Sequence, residues 1–206
     1  DTKDANKKEF MIIKEFFNKK INNYGESRDF PFIDGTSKFS KYINIGEFSP
    51  LDIFKKALDL KNIDLNWELF IRQLAWRDFY YHLYYYFPYV LERSFKEKYK
   101  NIFWDNDKEL FISWSKGLTG YPFVDAGMRQ LLAEGFMHNR LRMITASFLT
   151  KDLLIDWKKG ENFFMEKLID GDVILNNGGW QWSASTGSDA QPYFRIFNPV
   201  SQSKKF

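Results

Sequence analysis

A chain of 206 residues is long enough to bury a sizeable core in one domain, and 22 Phe, 11 Tyr and 7 Trp favour a bulky aromatic interior over disorder. The absence of Cys excludes disulfides, thiolate-bound zinc and cysteine-held iron–sulfur clusters, and the two histidines, His82 and His138, stand too far apart in sequence to suggest a metal site. A formal net charge of +3 permits a nucleic-acid partner without demanding one, so any such binding has to come from a clustered patch.

Residues 1–9 are polar and charged and read as a linker remnant. Phe10, Ile13, Phe17 and Ile21 then recur at helical spacing among lysines, which predicts an amphipathic helix docked on its own domain. Residues 1–23 are thus set apart from a main domain over 24–206. No run of about 18 apolar residues occurs, and DTKDANKKEF lacks the apolar centre of a signal peptide, so a soluble, cytoplasmic protein is expected; a monomer is expected as well.

The stretch NNYGESRDFPFIDGTSKFS, with Gly25, Pro31 and Gly35 among several hydroxyls, reads as loop. Ser49, Pro50 and Asp52 mark a helix start: a capping hydroxyl, a proline at the first helical position and an acid two residues later. That helix ends in a polar break near Lys61. Asn66 is expected to cap a longer helix, WELFIRQLAWRDFYYHLYYYF, which Pro88 helps to stop. Gln73, Trp76, Arg77 and Tyr80 fall on one face of it. An aromatic beside a guanidinium can stack on a base and grip a phosphate, although simple helix packing would use the same stripe.

A further helix is expected around FISWSKG, a turn at GYP, Asp125 as the cap of a helix reaching Leu132, and Gly135 as its breaker. In the segment 136–182, Leu141, Ile144, Thr145, Phe148 and Leu149 form an inward helical face. Arg142 lies one residue off that face, and a partly buried guanidinium needs a carboxylate or an anion, for which Asp170 and Asp172 are the nearest candidates. Asn176, Asn177, Gly178 and Gly179 are expected to stop a helix and to let the backbone approach something flat or polar. The last 24 residues, SASTGSDAQPYFRIFNPVSQSKKF, read as loop with short helical pieces. With no sustained strand alternation and no internal repeat, the fold class is all-α.

Several strings occur in one order: RDFPFIDGTSKFS at 28–40, WRDFYYHL at 76–83, GYPFVDAGMRQL at 120–131, MHNRLRMITASFL at 137–149, KDLLIDW at 151–157 and DGDVILNNGGWQWSASTGSDAQPYFRIFNP at 170–199. In these strings the chain resembles the flavin-binding helical domain of the DNA photolyase and cryptochrome family, closest to the microbial class I enzymes that repair cyclobutane pyrimidine dimers. The resemblance runs from about residue 24 to the end. The family's α/β antenna domain and a further helical stretch have no counterpart in these residues, so no antenna chromophore is assignable.

The resemblance implies FAD, with Tyr24, Thr36, Ser37, Lys38, Phe39 and Ser40 toward its pyrophosphate side. It places Arg142, paired with Asp170, near the flavin edge, with Gly171 and Asp172 as cofactor contacts. Asn176 would face N5, where an amide accepts the proton of the reduced flavin. Trp180, Trp157 and Trp104 match the family's chain of electron-transferring tryptophans. DNA contacts are implied for Arg28, Gln73, Trp76, Arg77, Tyr80, Asn139, Arg140, Met143, Trp182 and Gln202. The activity implied is light-driven dimer repair by electron transfer from reduced FAD to a lesion flipped out of UV-damaged DNA. The sequence departs from this pattern at Gln73, where dimer-repairing relatives commonly carry Glu, and at Phe70 and Phe136, where Trp is expected. A six-four photoproduct photolyase, a cryptochrome-like blue-light photoreceptor and an inactive flavin- or DNA-binding remnant are the alternatives.

Overall fold

The computed structural model describes residues 2–59, 65–190, 192 and 194–206, with the side chains of residues 2–10 and Asp59 outside that description. Among the described residues there is no strand, in keeping with the all-α expectation. The helices in chain order are α1 (Thr2–Lys19), α2 (Tyr24–Ser27), α3 (Ser40–Asn44), α4 (Pro50–Asp59), α5 (Leu65–Tyr86), α6 (Lys108–Ser115), α7 (Pro122–Glu134), α8 (Asn139–Ser147), α9 (Trp157–Lys167), α10 (Val173–Ser183) and α11 (Pro199–Lys205). None of them is long and apolar enough to cross a membrane. The chain divides into two compact units, residues 1–79 and 80–206, and the division falls inside α5.

The first unit is built on aromatic packing. Ile13, Phe16, Phe17 and Ile21 are buried with Tyr24, Phe39, Phe48, Ile53, Ala57, Trp67 and Phe70. Phe17 stacks on Trp67 at 4.9 Å between centroids, and Phe16 meets Phe39 edge-on at 5.3 Å, arrangements that suit the ring quadrupoles. The expected inward stripe is present from Ile13 onward, with Phe16 added; the Phe10 side chain and the break near Lys61 lie outside the described residues. Three expectations are corrected. Helix α1 already begins at Thr2. Tyr24–Ser27 forms one helical turn inside the predicted loop. Asn66 is not a cap but the second residue of α5, where its Oδ1 accepts from the Gly25 N–H at 2.8 Å and its Nδ2 donates to the Asn22 carbonyl at 2.8 Å. A side chain suited to capping has been recruited to tie a loop instead. The Ser49 cap holds as expected, its Oγ accepting from the Asp52 N–H at 3.4 Å.

The second unit buries Trp114, Val124, Met128, Leu131, Met137, Leu141, Ile144, Phe148, Leu149, Ile155, Trp157, Phe164 and Trp180 in one cluster. Asp125 does not cap α7, which starts three residues earlier at Pro122. Its buried carboxylate instead accepts from the N–H and hydroxyl of Thr119 and from the Gly120 N–H at 2.6–3.1 Å, closing the GYP turn from below. Gly135 ends α7 in the left-handed region at φ 62°. After α8 the chain makes one π-helical turn, Phe148–Asp152, before the loop to α9.

The largest correction concerns Asn176–Gly179, which do not stop a helix: α10 runs through all four. Asp172 starts it firmly, accepting from the N–H groups of Ile174 and Leu175 at 3.0 and 3.1 Å. Gly178 is there for space. A Cβ at that position would fall 2.3 Å from the Tyr80 ring, so the glycine costs helix propensity and admits an aromatic.

Candidate functional site

In the second unit the centre of the site is the pair formed by Arg142 and Asp170. Helix α8 presents Arg142 just off its buried face, as its sequence position demands. The Arg142 Nη2 donates to both Asp170 oxygens at 2.9 and 2.8 Å, and its Nε donates to the Met137 carbonyl at 2.8 Å. The Asp170 side chain is 2% exposed against 26% for Arg142, so the carboxylate is enclosed while one side of the guanidinium stays open. Below it lies the Phe136 ring, 5.5 Å from the guanidinium carbon. A phenyl face therefore serves as the cation's support where an indole was expected. Asp172, the other candidate partner, is occupied elsewhere: beside capping α10, it accepts from the Tyr81 hydroxyl at 2.6 Å.

Asn176 follows Asp172 by four residues and Trp180 follows Asn176 by four, so the three recur along one side of α10. The Asn176 amide is oriented by its Nδ2, which donates to the Glu161 carbonyl at 2.9 Å. This leaves Oδ1 as the acceptor end of a half-buried side chain. Trp180 and Trp157 are buried, at 2% and 3% exposure, and Trp104 packs partly buried against the same cluster. The ring neighbours of Trp180 are Phe164, edge-on at 5.0 Å, and Trp114, edge-on at 6.0 Å. The Lys158 ammonium lies 4.8 Å from the Trp157 ring centre.

The second unit also carries the other predicted contacts. Asn139 is exposed and donates to the Met143 sulfur at 3.6 Å. The Arg140 guanidinium sits 4.3 Å over the Phe206 ring, and Gln202, on α11, has an enclosed Oε1 without a hydrogen-bond partner among the described residues. Trp182 is half-buried, 6.4 Å from the Phe197 ring. Tyr80 is packed on Gly178; burial, aided by the Asp189 carboxylate, pushes its phenol up to about 12, so it stays protonated.

The first unit holds the remaining candidates. Tyr24 belongs to the core, with burial pushing its hydroxyl above the ordinary phenol range and the Arg28 guanidinium 5.3 Å over its ring. Thr36 and Ser37 are half-buried and Ser40 is exposed. Lys38 adopts a left-handed backbone, φ 53°, and its ammonium pairs with Asp34 at 3.0 Å. Lys20 and Lys38 together hold the Asp34 carboxyl below its usual range. Gln73 donates to the Leu69 carbonyl at 3.1 Å, and Trp76 is 43% exposed with Phe79 edge-on at 5.4 Å.

Sequence reasoning missed a buried polar chain behind Asn176. The Glu161 carboxylate accepts from Asn177 Nδ2 at 2.7 Å, Asn177 Oδ1 accepts from Gln181 Nε2 at 3.0 Å, and Gln181 also donates to the Val90 carbonyl at 2.8 Å while accepting from the Phe95 N–H at 2.8 Å. Asn177 and Gln181 stand four apart on α10, the one signal visible in the sequence; Glu161 on α9 gives none. Trp114 was also missed, although it is completely buried and donates its indole N–H to the Thr145 carbonyl at 3.0 Å.

The chain is similar to known proteins in sequence and in fold. Residues 70–206 match the family model described as the FAD binding domain of DNA photolyase. The chain is 53% identical over 194 residues to a deoxyribodipyrimidine photo-lyase of Alkalihalophilus pseudofirmus, covering 94% of this chain and 40% of that protein. The Escherichia coli protein of the same name is 48% identical, with 94% and 42% covered. Among solved structures, a class III photolyase from Agrobacterium tumefaciens superposes with a TM-score of 0.91 at 43% identity, covering 96% of this chain and 41% of that one. A Synechocystis cryptochrome superposes at 0.88 with 35% identity, over 95% and 42%. The chain thus spans about two fifths of the length of these relatives. The family model, matching well over half of the chain, leads to one conclusion: the chain belongs to the family of the FAD-binding domain of DNA photolyase.

Proposed function

We propose that this chain supplies the flavin- and DNA-binding part of a deoxyribodipyrimidine photo-lyase, acting on cyclobutane pyrimidine dimers in UV-damaged DNA. The observation that carries the reading is the spacing on α10, where Asp172, Asn176 and Trp180 offer a carboxylate, an oriented amide acceptor and a buried indole on one side of a helix. Relatives bearing the photo-lyase name at 48–53% identity over 94% of this chain support it.

The residues present fit FAD. Asn176 Oδ1 is an acceptor left over once Nδ2 is bonded, which suits a ring N–H such as flavin N5–H. The half-open Arg142 guanidinium, balanced by Asp170, suits the electron-rich edge of a reduced ring. In the first unit, Thr36, Ser37, Lys38, Phe39 and Ser40 provide hydroxyls, amides and one ammonium for a pyrophosphate, with Tyr24 upstream of them in sequence. When bound and reduced, FAD supplies a light-activated electron donor. The protein's work is to hold the cofactor, keep a proton at N5 through Asn176, and carry charge inward through Trp104, Trp157 and Trp180. Gly171, between the two acids in sequence, is a further cofactor contact. Arg28, Arg77 and Arg140 take DNA phosphates, while Gln73, Trp76, Tyr80, Asn139, Met143, Trp182 and Gln202 meet the extruded lesion. Residues 24–206 form this functional region, and it acts as a monomer.

Gln73 favours one second reading. By the resemblance, Gln at this position is usual among relatives that repair the six-four photoproduct; a neutral amide can still hydrogen-bond a thymine but cannot steady a protonated carbonyl as a carboxylate can. The test supplies the purified chain with FAD, reduces and illuminates it with thymine-dimer DNA and separately with six-four DNA, and follows each lesion. Loss of the dimer alone is expected. Loss of the six-four product alone transfers the assignment to that lesion. Survival of both, with FAD bound, rejects repair by this chain and leaves photoreception or an inactive flavin-binding remnant.

A further inference from the structure

Glu161 is a buried acid that the proposed chemistry does not use. It sits on α9, 7% exposed, and burial is the largest influence on its carboxyl, raising its pKa despite the opposing help of Asn177 and Lys158. An acid enclosed at this cost calls for a reason beyond packing. Its contacts supply one. The backbone carbonyl of Glu161 takes the Asn176 Nδ2 at 2.9 Å, and its carboxylate takes the neighbouring Asn177 Nδ2 at 2.7 Å. One residue thus grips two consecutive amides of α10. The other carboxylate oxygen lies 3.6 Å from the Lys158 ammonium, which is itself bonded to the Leu91 carbonyl.

The residue before it fixes the same register. A Cβ at Gly160 would fall 2.1 Å from the Trp180 ring, so α9 approaches α10 closely enough for the indole edge to rest on bare backbone. Gly160 therefore sets where Trp180 lies, and Glu161 sets where Asn176 and Asn177 lie. The Asn177 amide is locked in turn by Gln181.

We infer that Glu161 is a positioning residue for the flavin: by clamping Asn177 with its carboxylate it holds its own carbonyl against Asn176 Nδ2, which leaves Asn176 Oδ1 as the acceptor for the flavin N5 proton. This rests on the reading of Asn176 as the N5 partner. Without the clamp α9 is tied less tightly to α10, the Glu161 carbonyl is held less closely against Asn176 Nδ2, and the preference for a proton-bearing N5 falls.

The test compares wild type, Glu161→Gln, Glu161→Leu, Asn177→Ala, Asn176→Asp and the double variant Glu161→Leu/Asn176→Asp, each with FAD bound. The readouts are the flavin midpoint potential, the rate at which reduced FAD reoxidises in air, and solvent exchange of the Asn176 side-chain amide protons. Glu161→Leu and Asn177→Ala are each expected to speed reoxidation at least about threefold, with faster Asn176 exchange, while Glu161→Gln, which keeps an acceptor for Asn177, stays within about twofold. The double variant is expected to match Asn176→Asp alone, since the clamp has no further amide to orient. Wild-type potential, reoxidation and exchange in both Glu161→Leu and Asn177→Ala overturn the inference. So does a double variant whose effects simply add. If Glu161→Leu does not fold, Asn177→Ala and Glu161→Gln decide alone, because they cut and keep the same bond. An Asn176→Asp variant with wild-type flavin properties would reject the N5 assignment itself, a failure separate from that of the clamp.

Discussion

The two units of this chain bury aromatic rings in comparable number but for different ends. In the first, Phe16, Phe17, Phe39, Phe48 and Phe70 pack ring against ring, and the buried set is almost purely apolar. In the second, Trp114, Trp157, Phe164 and Trp180 share the interior with Glu161, Asn177, Gln181, Asp170 and Thr145. A core of the first kind needs volume and shape only. A core of the second kind has to satisfy every donor and acceptor it encloses, and such an expense is maintained where side chains must hold one orientation.

The comparison can be broken by substitution. Phe16→Ala, which empties the centre of the first unit, is expected to cost about 4 kcal/mol in urea unfolding; a value near zero would mean that its rings repack freely. Asp170→Ala leaves Arg142 partly buried without its carboxylate and is expected to cost about 3 kcal/mol together with FAD retention on gel filtration. Should Asp170→Ala lose stability and keep flavin, the pair serves the fold and not the site. Trp180→Phe trims an edge of the indole and is expected to cost about 1–2 kcal/mol while slowing flavin photoreduction far more than that loss explains. Proportionate losses would place Trp180 with Phe16 as packing.

The smallest effect is a matter of pH. Partial desolvation pushes the Asp152 carboxyl, on the π-helical turn, up to about 6, although the residue still meets solvent. Its folded-state pKa lies above the unfolded one, so this contribution favours the fold at pH below about 4 and is lost as pH rises through about 6. Asp152→Asn is therefore expected to raise the melting temperature at pH 8 by a degree or so, at about the limit of what a surface-facing group supplies, and to leave it unchanged at pH 4. An equal shift at both values would show that the carboxylate's charge is not the cause.

The legible part of the site was the part written locally. A guanidinium one residue off an apolar stripe needs a partner, and of its two candidates Arg142 has Asp170. The expected inward face of α8 is buried throughout. What escaped depended on residues far apart. The glycines at 178 and 179 look like helix breakers until the Tyr80 ring is known to press on the first of them. Asn66 and Asp125 have the chemistry of caps, and only the third dimension shows that loops claimed them first. Glu161 lies in WKKGENFFMEK as one charge among several, and nothing in that string distinguishes an enclosed acid from a solvated one.

The bond between Tyr81 and Asp172 acts as an index mark for α10. One oxygen of the acid receives the first amides of the helix and the other receives the phenol, so the helix can neither slide nor turn about its axis without giving up the phenol. Inserting a single residue after Asp172 would swing everything downstream by about 100°, carrying Asn176 and Trp180 off their common side. Side chains along this helix are open to exchange in a way that its length is not, and divergence within the segment should therefore proceed by replacement, with gaps confined to the loops at either end.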